Sequence, residues 1–395
     1  MIGRRPAGRE LVGEVRAGLA RAAPGSAELA RQVSAAAAAT GRVFGVEDLA
    51  DAVTEVRDHA WGLGPLQPLV EDPEVTDVLV NGSGVVWVDR GSGLRRVRVG
   101  VGGEDDVRAL AVRLAAAAGR RLDEGVPWVD ARLPGGVRLH AVIPPVSPSG
   151  THISLRVLRA GGLDLETLVS TGCIPQGWDD PLRRLVSRRA AFLVTGGTGS
   201  GKTTLLAALL SLVPEQERLV LVEDVGELRP VHPHVVRLEA RHANVEGRGE
   251  VGLAELVRQA LRMRPDRIVV GECRGPEVTD LLAALNTGHA GGCGTLHANA
   301  PAEVPARLEA LGLLAGLGRE AVRAQAAAAL DAVVHLERGP DGVRRVVEVA
   351  AVCAGESPSG SGLAVRTALR RGGPGTQAST GPGWPWLAAR LGSAC

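Results

Sequence analysis

A chain of 395 residues with 45 basic and 44 acidic side chains has room for two or three domains, and its net charge of +1 gives no electrostatic reason to expect nucleic-acid binding. Its five cysteines, Cys173, Cys273, Cys293, Cys353 and Cys395, form no C-x-x-C pair, which argues against a disulfide scaffold or a cysteine zinc site and suits free thiols in a reducing cytosol. Tyr is absent and aromatics are 2% of the chain, so stacking platforms for single strands are not expected, and no apolar run is long enough to span a bilayer.

From Arg9 to about Gly64 the apolar spacing predicts helices, with Leu11, Val12, Val15 and Leu19 on one face. An Ala-rich stretch follows over 32–40, and then Val46, Leu49, Val53 and Val56 repeat the pattern. Residues 1–61 are therefore expected to be a helical region with no chemistry of its own. Arg4-Arg5 has the look of a twin-arginine signal, but Glu10, Glu14 and Arg16 interrupt the stretch where its apolar region belongs.

Runs of β type at 75–80 and 85–88 flank Asn81-Gly82-Ser83-Gly84, a hairpin signal, and 94–99 offers a third strand. An amphipathic helix is predicted over 105–118, ending at Gly119, and strands over 137–143 and 151–158. Together these predict an α+β domain over 62–158. Arg138 with His140, and Arg156 with Ser154, alternate with apolar residues and so share a polar face of the sheet. A solvated outer face accounts for that pattern as well as a site does.

Residues 159–170 are expected to form a linker, with helix pattern already present over 163–170 and again over 181–189. Then an apolar run ends in Gly196-Gly197-Thr198-Gly199-Ser200-Gly201-Lys202-Thr203-Thr204 and restarts as the helix former Leu205-Leu206-Ala207-Ala208. This is a phosphate-binding P-loop in strand-to-helix context. Glycines let successive N–H groups curl around a phosphate oxygen, and the positive end of the next helix faces the same anion. Lys202 would reach the β- and γ-phosphates, and the Thr203 hydroxyl would be a Mg²⁺ ligand. Every other strongly basic residue is Arg, so the chain uses an ammonium only here.

Beyond the loop, apolar runs at 219–223, 235–238, 268–271 and 294–296 alternate with helical pattern at 253–263 and 278–285. That alternation predicts an α/β nucleotide-binding fold with a largely parallel sheet over 171–355. A closing hairpin is expected from 332–336 and 343–352. Residues 356–395 are rich in Gly, Ser and Pro and are expected to be a disordered tail. Hydrolysis also needs carboxylates at strand ends. Glu223-Asp224 ends one strand, and Glu272 ends another.

These segments resemble a known family. Glu223-Asp224, the run from Leu261 through Arg264-Pro265-Asp266 to Gly271-Glu272 with Arg274-Gly275, and Asn286-Thr287-Gly288-His289 through Thr295-Leu296-His297-Ala298-Asn299 look like the Asp box, Walker B segment and His box of type II and type IV secretion ATPases. With Gly64-Pro65-Leu66, Val80-Asn81-Gly82, Gly119-Arg120-Arg121-Leu122-Asp123-Glu124 and Val129-Asp130-Ala131-Arg132-Leu133, the pattern is similar to the CpaF/TadA branch that powers Tad (Flp) pili. The resemblance runs from about Gly62 to Val352.

It implies an ATP- and Mg²⁺-dependent motor with a RecA-like P-loop domain behind a smaller PAS-like α+β domain. Such motors are cytoplasmic homo-hexamers, peripheral to the cytoplasmic membrane through inner-membrane platform proteins, and they move pilin-like cargo without touching nucleic acid. Conjugative DNA transfer, or a low-turnover nucleotide-gated scaffold, are the alternatives. Position by position, the resemblance makes Glu272 the catalytic carboxylate, with Glu223 and Asp224 near the metal and water. It also makes His289 and His297 the residues near the γ-phosphate, and Arg138 and Arg156 the arginines that sense it. Glu223 and Thr203 would be the metal ligands. Gly271 stands where many P-loop enzymes place Asp, and a glycine there matches the family. One departure stands out. Ala290-Gly291-Gly292-Cys293-Gly294 replaces the usual acid and hydroxyls after His289, and a glycine-rich loop is expected to be looser.

Overall fold

The computed structural model of the chain describes residues 26–39, 45–60, 62–82, 84–91, 93–157, 163–241, 248–355, 362–372 and 378–392. Two compact units divide it, Met1–Arg159 and Ala160–Cys395. The expected face of Leu11 to Leu19, the hairpin residue Ser83, residues 159–162 and Cys395 lie outside the described residues.

In the first unit, α1 (Ser26–Ala39) and α2 (Val46–Ala60) form a helical pair. Leu29, Val33 and Ala37 recur every fourth residue on one stripe, and they bury against Ala52 and Val56. After α3 (Gln67–Glu71) come β1 (Asp77–Asn81), β2 (Val85–Asp89), β3 (Leu94–Val97), α4 (Glu104–Ala117), β4 (Trp128–Arg132), β5 (Val137–Val142) and β6 (His152–Val157). The six strands make one sheet in the order β3-β2-β1-β6-β5-β4, antiparallel throughout. Period-two alternation sends Val78, Val80, Leu139, Ala141, Ile153 and Leu155 inward. There Val107, Leu110, Ala111 and Leu114 of α4 cover them. The sequence pattern gave no sign of β4, an edge strand whose one fully buried side chain is Val129.

The second unit runs α5 (Leu165–Ser170), α6 (Asp179–Ser187), β7 (Phe192–Gly196), α7 (Lys202–Leu210), β8 (Leu219–Glu223), β9 (Val235–Glu239), α8 (Leu253–Leu261), β10 (Arg267–Cys273), α9 (Glu277–Asn286), β11 (Cys293–Leu296), α10 (Val304–Leu314), α11 (Arg319–Ala329), β12 (Ala332–Arg338), β13 (Arg344–Gly355), β14 (Gly362–Arg370), β15 (Ser379–Thr380) and α12 (Trp384–Leu391). Its sheet has the order β15-β14-β13-β12-β7-β11-β10-β8-β9. From β12 to β9 neighbours are parallel; from β12 outward through β13 to β15 they are antiparallel. Both faces are covered, one by α5, α6, α7 and α12, the other by α8 to α11. That is why β7 and β8 read as unbroken apolar runs. The α/β class expected from sequence is the class observed.

Two expected boundaries differ from the structure. The linker assigned to 159–170 contains α5, and Leu165 and Leu168 are buried in the core of the second unit. The tail assigned to 356–395 contains β14 and α12 instead of a disordered segment. Its composition is rich in Gly, Ser and Pro, but its apolar residues sit where they count. A bulge in β14 turns Ala368 and Leu369 into one core while Leu363 and Val365 pack against the other. Leu387, Ala388 and Leu391 line one stripe of α12 and are buried. Helices α10 and α11 also escaped the sequence reading, although Leu308, Leu311, Val322 and Ala326 close one face of the sheet.

Candidate functional site

The parallel strands β7, β11, β10 and β8 lie side by side and point the same way, so their C-terminal ends gather at one edge. At the end of β7 the backbone turns through Gly196 (φ +149), Gly199 (φ +70) and Gly201 (φ +98), the last of which caps α7. A Cβ on Gly196 would lie 2.3 Å from the Leu336 carbonyl oxygen and 2.6 Å from Ser200 Oγ, so no larger residue fits that turn. The loop is thus shaped as the motif requires, with Thr203 and Thr204 on the first turn of the helix.

Lys202 is buried and its Nζ donates to the carbonyl oxygens of Gly196 (3.0 Å) and Gly197 (2.8 Å). Burial pushes the ammonium below its ordinary pKa, and the Glu272 carboxylate pulls the other way. Nζ also lies 3.4 Å from Nδ1 of His297, just past the end of β11. An ammonium only donates, so Nδ1 is the acceptor and Nε2 carries the ring proton. That Nε2 is 2.5 Å from Glu272 Oε1, close contact but outside hydrogen-bonding direction. Burial first, and then the Lys202 charge, hold the His297 pKa below its ordinary value, so the ring is neutral at pH 7.

Glu272 sits on β10, and its other oxygen accepts from Nη2 of Arg274. Arg274 Nη1 in turn lies 3.8 Å from Asp224 Oδ2. The turn that carries Arg274 is fixed by the buried Glu277, whose Oε1 accepts from the backbone N–H of Arg274 (2.6 Å) and Gly275 (2.8 Å). Neither Arg274 nor Glu277 is among the site residues expected from the sequence. An acid in the first turn of a helix, just after a strand-end glutamate, was the available signal.

Glu223, at the end of β8, is 3% exposed. Its Oε1 accepts from the backbone N–H groups of Glu227 and Leu228, both at 2.8 Å, while Oε2 is buried without a partner. Burial raises its pKa to about 7, with the two backbone donors opposing. Gly271 explains how it fits. A Cβ there would stand 2.7 Å from Glu223 Cγ, so the glycine leaves the space that the glutamate fills.

His289 stands apart from this cluster. Its Nδ1 lies 3.2 Å from the Ala284 carbonyl oxygen at the end of α9, the position of a C-terminal cap. The loop after it is closely packed at two of its glycines. A Cβ on Gly292 would meet Leu285 Cδ2 at 2.7 Å and the Ile268 carbonyl oxygen at 2.9 Å, and one on Gly294 the Val270 oxygen at 2.8 Å. These glycines permit close packing that a Cβ would forbid. In the first unit, Arg132, Arg138, Arg156 and Asp77 are successive cross-strand partners on the polar face of the sheet. Arg156 Nε donates to Asp77 Oδ1 at 3.2 Å, and Arg138 Nη2 lies 3.6 Å from Asp130 Oδ1.

What the second unit offers chemically is a phosphate cradle with buried polar atoms still unsatisfied beside it, Ser200 Oγ, Glu223 Oε2 and Glu272 Oε1. Such atoms fit a bound polyphosphate and cation better than an apolar ligand. Among the described residues no cluster of three metal-ligating side chains exists, and none is needed for Mg²⁺, which takes one or two side chains plus phosphate oxygens and water.

Comparison with known proteins agrees with this geometry. The family model described as type II/IV secretion system protein matches residues 59–358. Protein Rv3659c of Mycobacterium tuberculosis, whose name provisionally assigns it to conjugal transfer, is 58% identical over 295 residues, 73% of this chain and 84% of that one. The type IV secretion system protein PtlH of Bordetella pertussis is 36% identical over 322 residues, 73% of this chain and 93% of its own length. In fold, the chain is similar to the X-ray structure of the Legionella pneumophila ATPase DotB, with a TM-score of 0.52 at 22% identity over 71% of this chain and 78% of that one.

Proposed function

The chain belongs to the type II/IV secretion system protein family, and we propose that within it the protein is the ATP-hydrolysing motor of a Tad-like pilus or secretion complex. It is a P-loop ATPase. The observation that carries the reading is the continuous polar chain from Lys202 through His297 to Glu272 and Arg274, laid along one edge of the sheet beside the glycine turn.

In this reading Lys202 leaves its two loop carbonyls for the β- and γ-phosphates, while backbone N–H groups from Gly199 to Thr204 surround the rest. Thr203 and Glu223 would hold Mg²⁺, which when bound neutralises charge on the β- and γ-oxygens. A cation at Glu223 would also reverse the effect of burial, since it favours the carboxylate. Glu272 orients the attacking water and takes its proton, and Asp224, through Arg274, helps to hold it. His297, neutral and already hydrogen-bonded at Nδ1, follows the γ-phosphate through Lys202. His289 enters only by resemblance and caps α9. Arg138 and Arg156 are assigned to the γ-phosphoryl charge, for which a guanidinium is the fitting group.

Such a motor would be a homo-hexamer working at inner-membrane platform proteins with pilin-like cargo. The name of the Mycobacterium tuberculosis relative favours conjugative DNA as a second reading, whereas the balanced charge of this chain gives no footprint for DNA. Steady-state phosphate release by the purified chain, alone, with DNA and with the membrane partners encoded beside it, tests both. Stimulation by the membrane partners and not by DNA supports the first reading; stimulation by DNA alone sinks it. Among the described residues no helix is long and apolar enough to cross a membrane, so attachment through partners is part of the proposal.

A further inference from the structure

The β12–β13 hairpin backs the P-loop almost residue by residue. His335 Nδ1 lies 2.9 Å from Thr195 Oγ1, with both side chains buried. The Leu336 carbonyl presses on Gly196, as above, and Arg344 at the start of β13 donates from Nε to the Gly199 carbonyl at 2.8 Å. A Cβ on Gly201 would be 3.2 Å from Arg344 Cδ, so the arginine stem lies against the last glycine of the loop. Only Nε of this guanidinium is engaged: among the described residues Nη1 and Nη2 have no partner and no carboxylate pairs with it. Its neighbour Arg345 is held by both oxygens of Asp341, at 2.8 and 2.5 Å. A permanent cation without a counter-ion, braced against a loop built to surround phosphate, is poised for an anion.

The strand order indicates which one. Strand β7 lies between β11 and β12. His297 follows β11 and Glu272 lies one strand further on β10, so the proposed reaction puts the γ-phosphate on that flank. Arg344 stands on the opposite flank, with the hairpin. A polyphosphate laid along the loop with its γ end toward His297 presents its α end to Arg344. Resting on the ATP-binding reading above, we propose that Arg344 binds the α-phosphate of the nucleotide, a contact made equally with ATP and ADP.

The test is equilibrium binding of ATP, ADP and ADP carrying sulfur in place of a non-bridging α-oxygen, measured on the full chain and its variants. Arg344→Gln is expected to weaken ATP and ADP alike by about tenfold or more, the usual scale for a lost charged hydrogen bond. In turnover it should raise KM and leave kcat unchanged, the signature of binding uniform between ground and transition states. Sulfur should weaken ADP binding to the natural protein and have a smaller effect on Arg344→Gln, since the oxygen it replaces has lost its partner. An arginine that merely braces the loop would leave that sulfur effect intact. Should the glutamine variant not fold, Arg344→Lys, which keeps the charge but not the fork, gives the same readout. Undiminished ADP binding, a loss confined to ATP, or an unchanged sulfur effect each overturns the assignment to the α-phosphate. Failure of the natural protein to bind any of the three nucleotides overturns the P-loop reading instead.

Discussion

Strands β8 and β10 lie side by side and parallel, each ends near a glutamate, and the fold treats the two carboxylates in opposite ways. Glu223 is enclosed, satisfied at one oxygen by backbone N–H groups and at the other by nothing, and its pKa is raised to about 7. Glu272 is only partly buried: its Oε2 accepts from the Arg274 guanidinium, and its Oε1 lies against the His297 ring without a hydrogen bond. The cause is a single position. Val222 pairs with Val270, so the next pair brings Glu223 level with Gly271, whose missing side chain is the space that Glu223 occupies. One strand gives up a side chain so that its neighbour can bury one. The dry carboxylate suits a proton or cation that comes and goes, and the networked one suits a fixed role beside the reacting phosphate.

The sharpest way to break this contrast is Glu272→Gln, which keeps the shape and removes the charge. Hydrolysis should fall by about 10² to 10⁴, the usual worth of a positioned general base, while ATP still binds. A normal rate of phosphate release would hand the catalytic role to Glu223.

The next effect is a pH dependence of stability, with no divalent cation present. Glu223 binds its proton more tightly in the folded chain, at about 7, than at its ordinary 4.5. Its contribution is therefore complete below pH 4.5, is lost as pH rises through 7, and is flat above. The span is on the order of 3 kcal/mol. Urea titrations across that window should show a steeper decline in the natural protein than in Glu223→Gln, which cannot ionise. Parallel curves would mean that Glu223 is not held in its protonated form.

Gly271→Ala tests the steric half of the contrast. The added methyl would meet Glu223 Cγ, and overpacking of this kind costs about 1 to 3 kcal/mol. Combined with Glu223→Ala, the two changes should cost less than their sum, because the second makes room for the first. Strict additivity in a double-mutant cycle would separate the two positions. The smallest effect belongs to Arg274→Gln. The arginine is half exposed, so loss of its pairing with Glu272 should change stability by less than about 1 kcal/mol in thermal melts. A larger loss would show that the Glu272 network holds the fold as well as the site.

The P-loop was legible in the sequence because its chemistry is local: the glycines, Lys202 and Thr203 sit within a few bonds of one another, and only a strand before and a helix after are needed to aim them. The two strand-end acids were legible for a similar reason, each closing an apolar run. What separates Glu223 from Glu272 was not, since burial and the space over Gly271 arise from strands 40 or more residues apart in the chain. The same holds for His335, visible only as one polar residue inside the apolar run of β12, and for Arg344, one arginine among many until the hairpin folds onto the loop.

Composition misled where tertiary contacts decide. The stretch after 355 looked too poor in apolar residues to order itself, and by itself it is. Here the cost of ordering is shared with a sheet that already exists: β14 adds to β13 by backbone hydrogen bonds, and α12 buries Leu387, Ala388 and Leu391 and packs Trp384 against the core it meets. The glycines after His289 carry a second meaning that sequence does not show, since at Gly292 and Gly294 neighbouring atoms leave no room for a Cβ. Sequence by itself determined the α/β class, the phosphate cradle and the acids that face it, because those depend on residue type at short spacing. Which carboxylate is dry, which arginine lies against the P-loop and which tail residues are core were decided by the tertiary structure, because desolvation and excluded volume depend on neighbours that only the folded chain supplies.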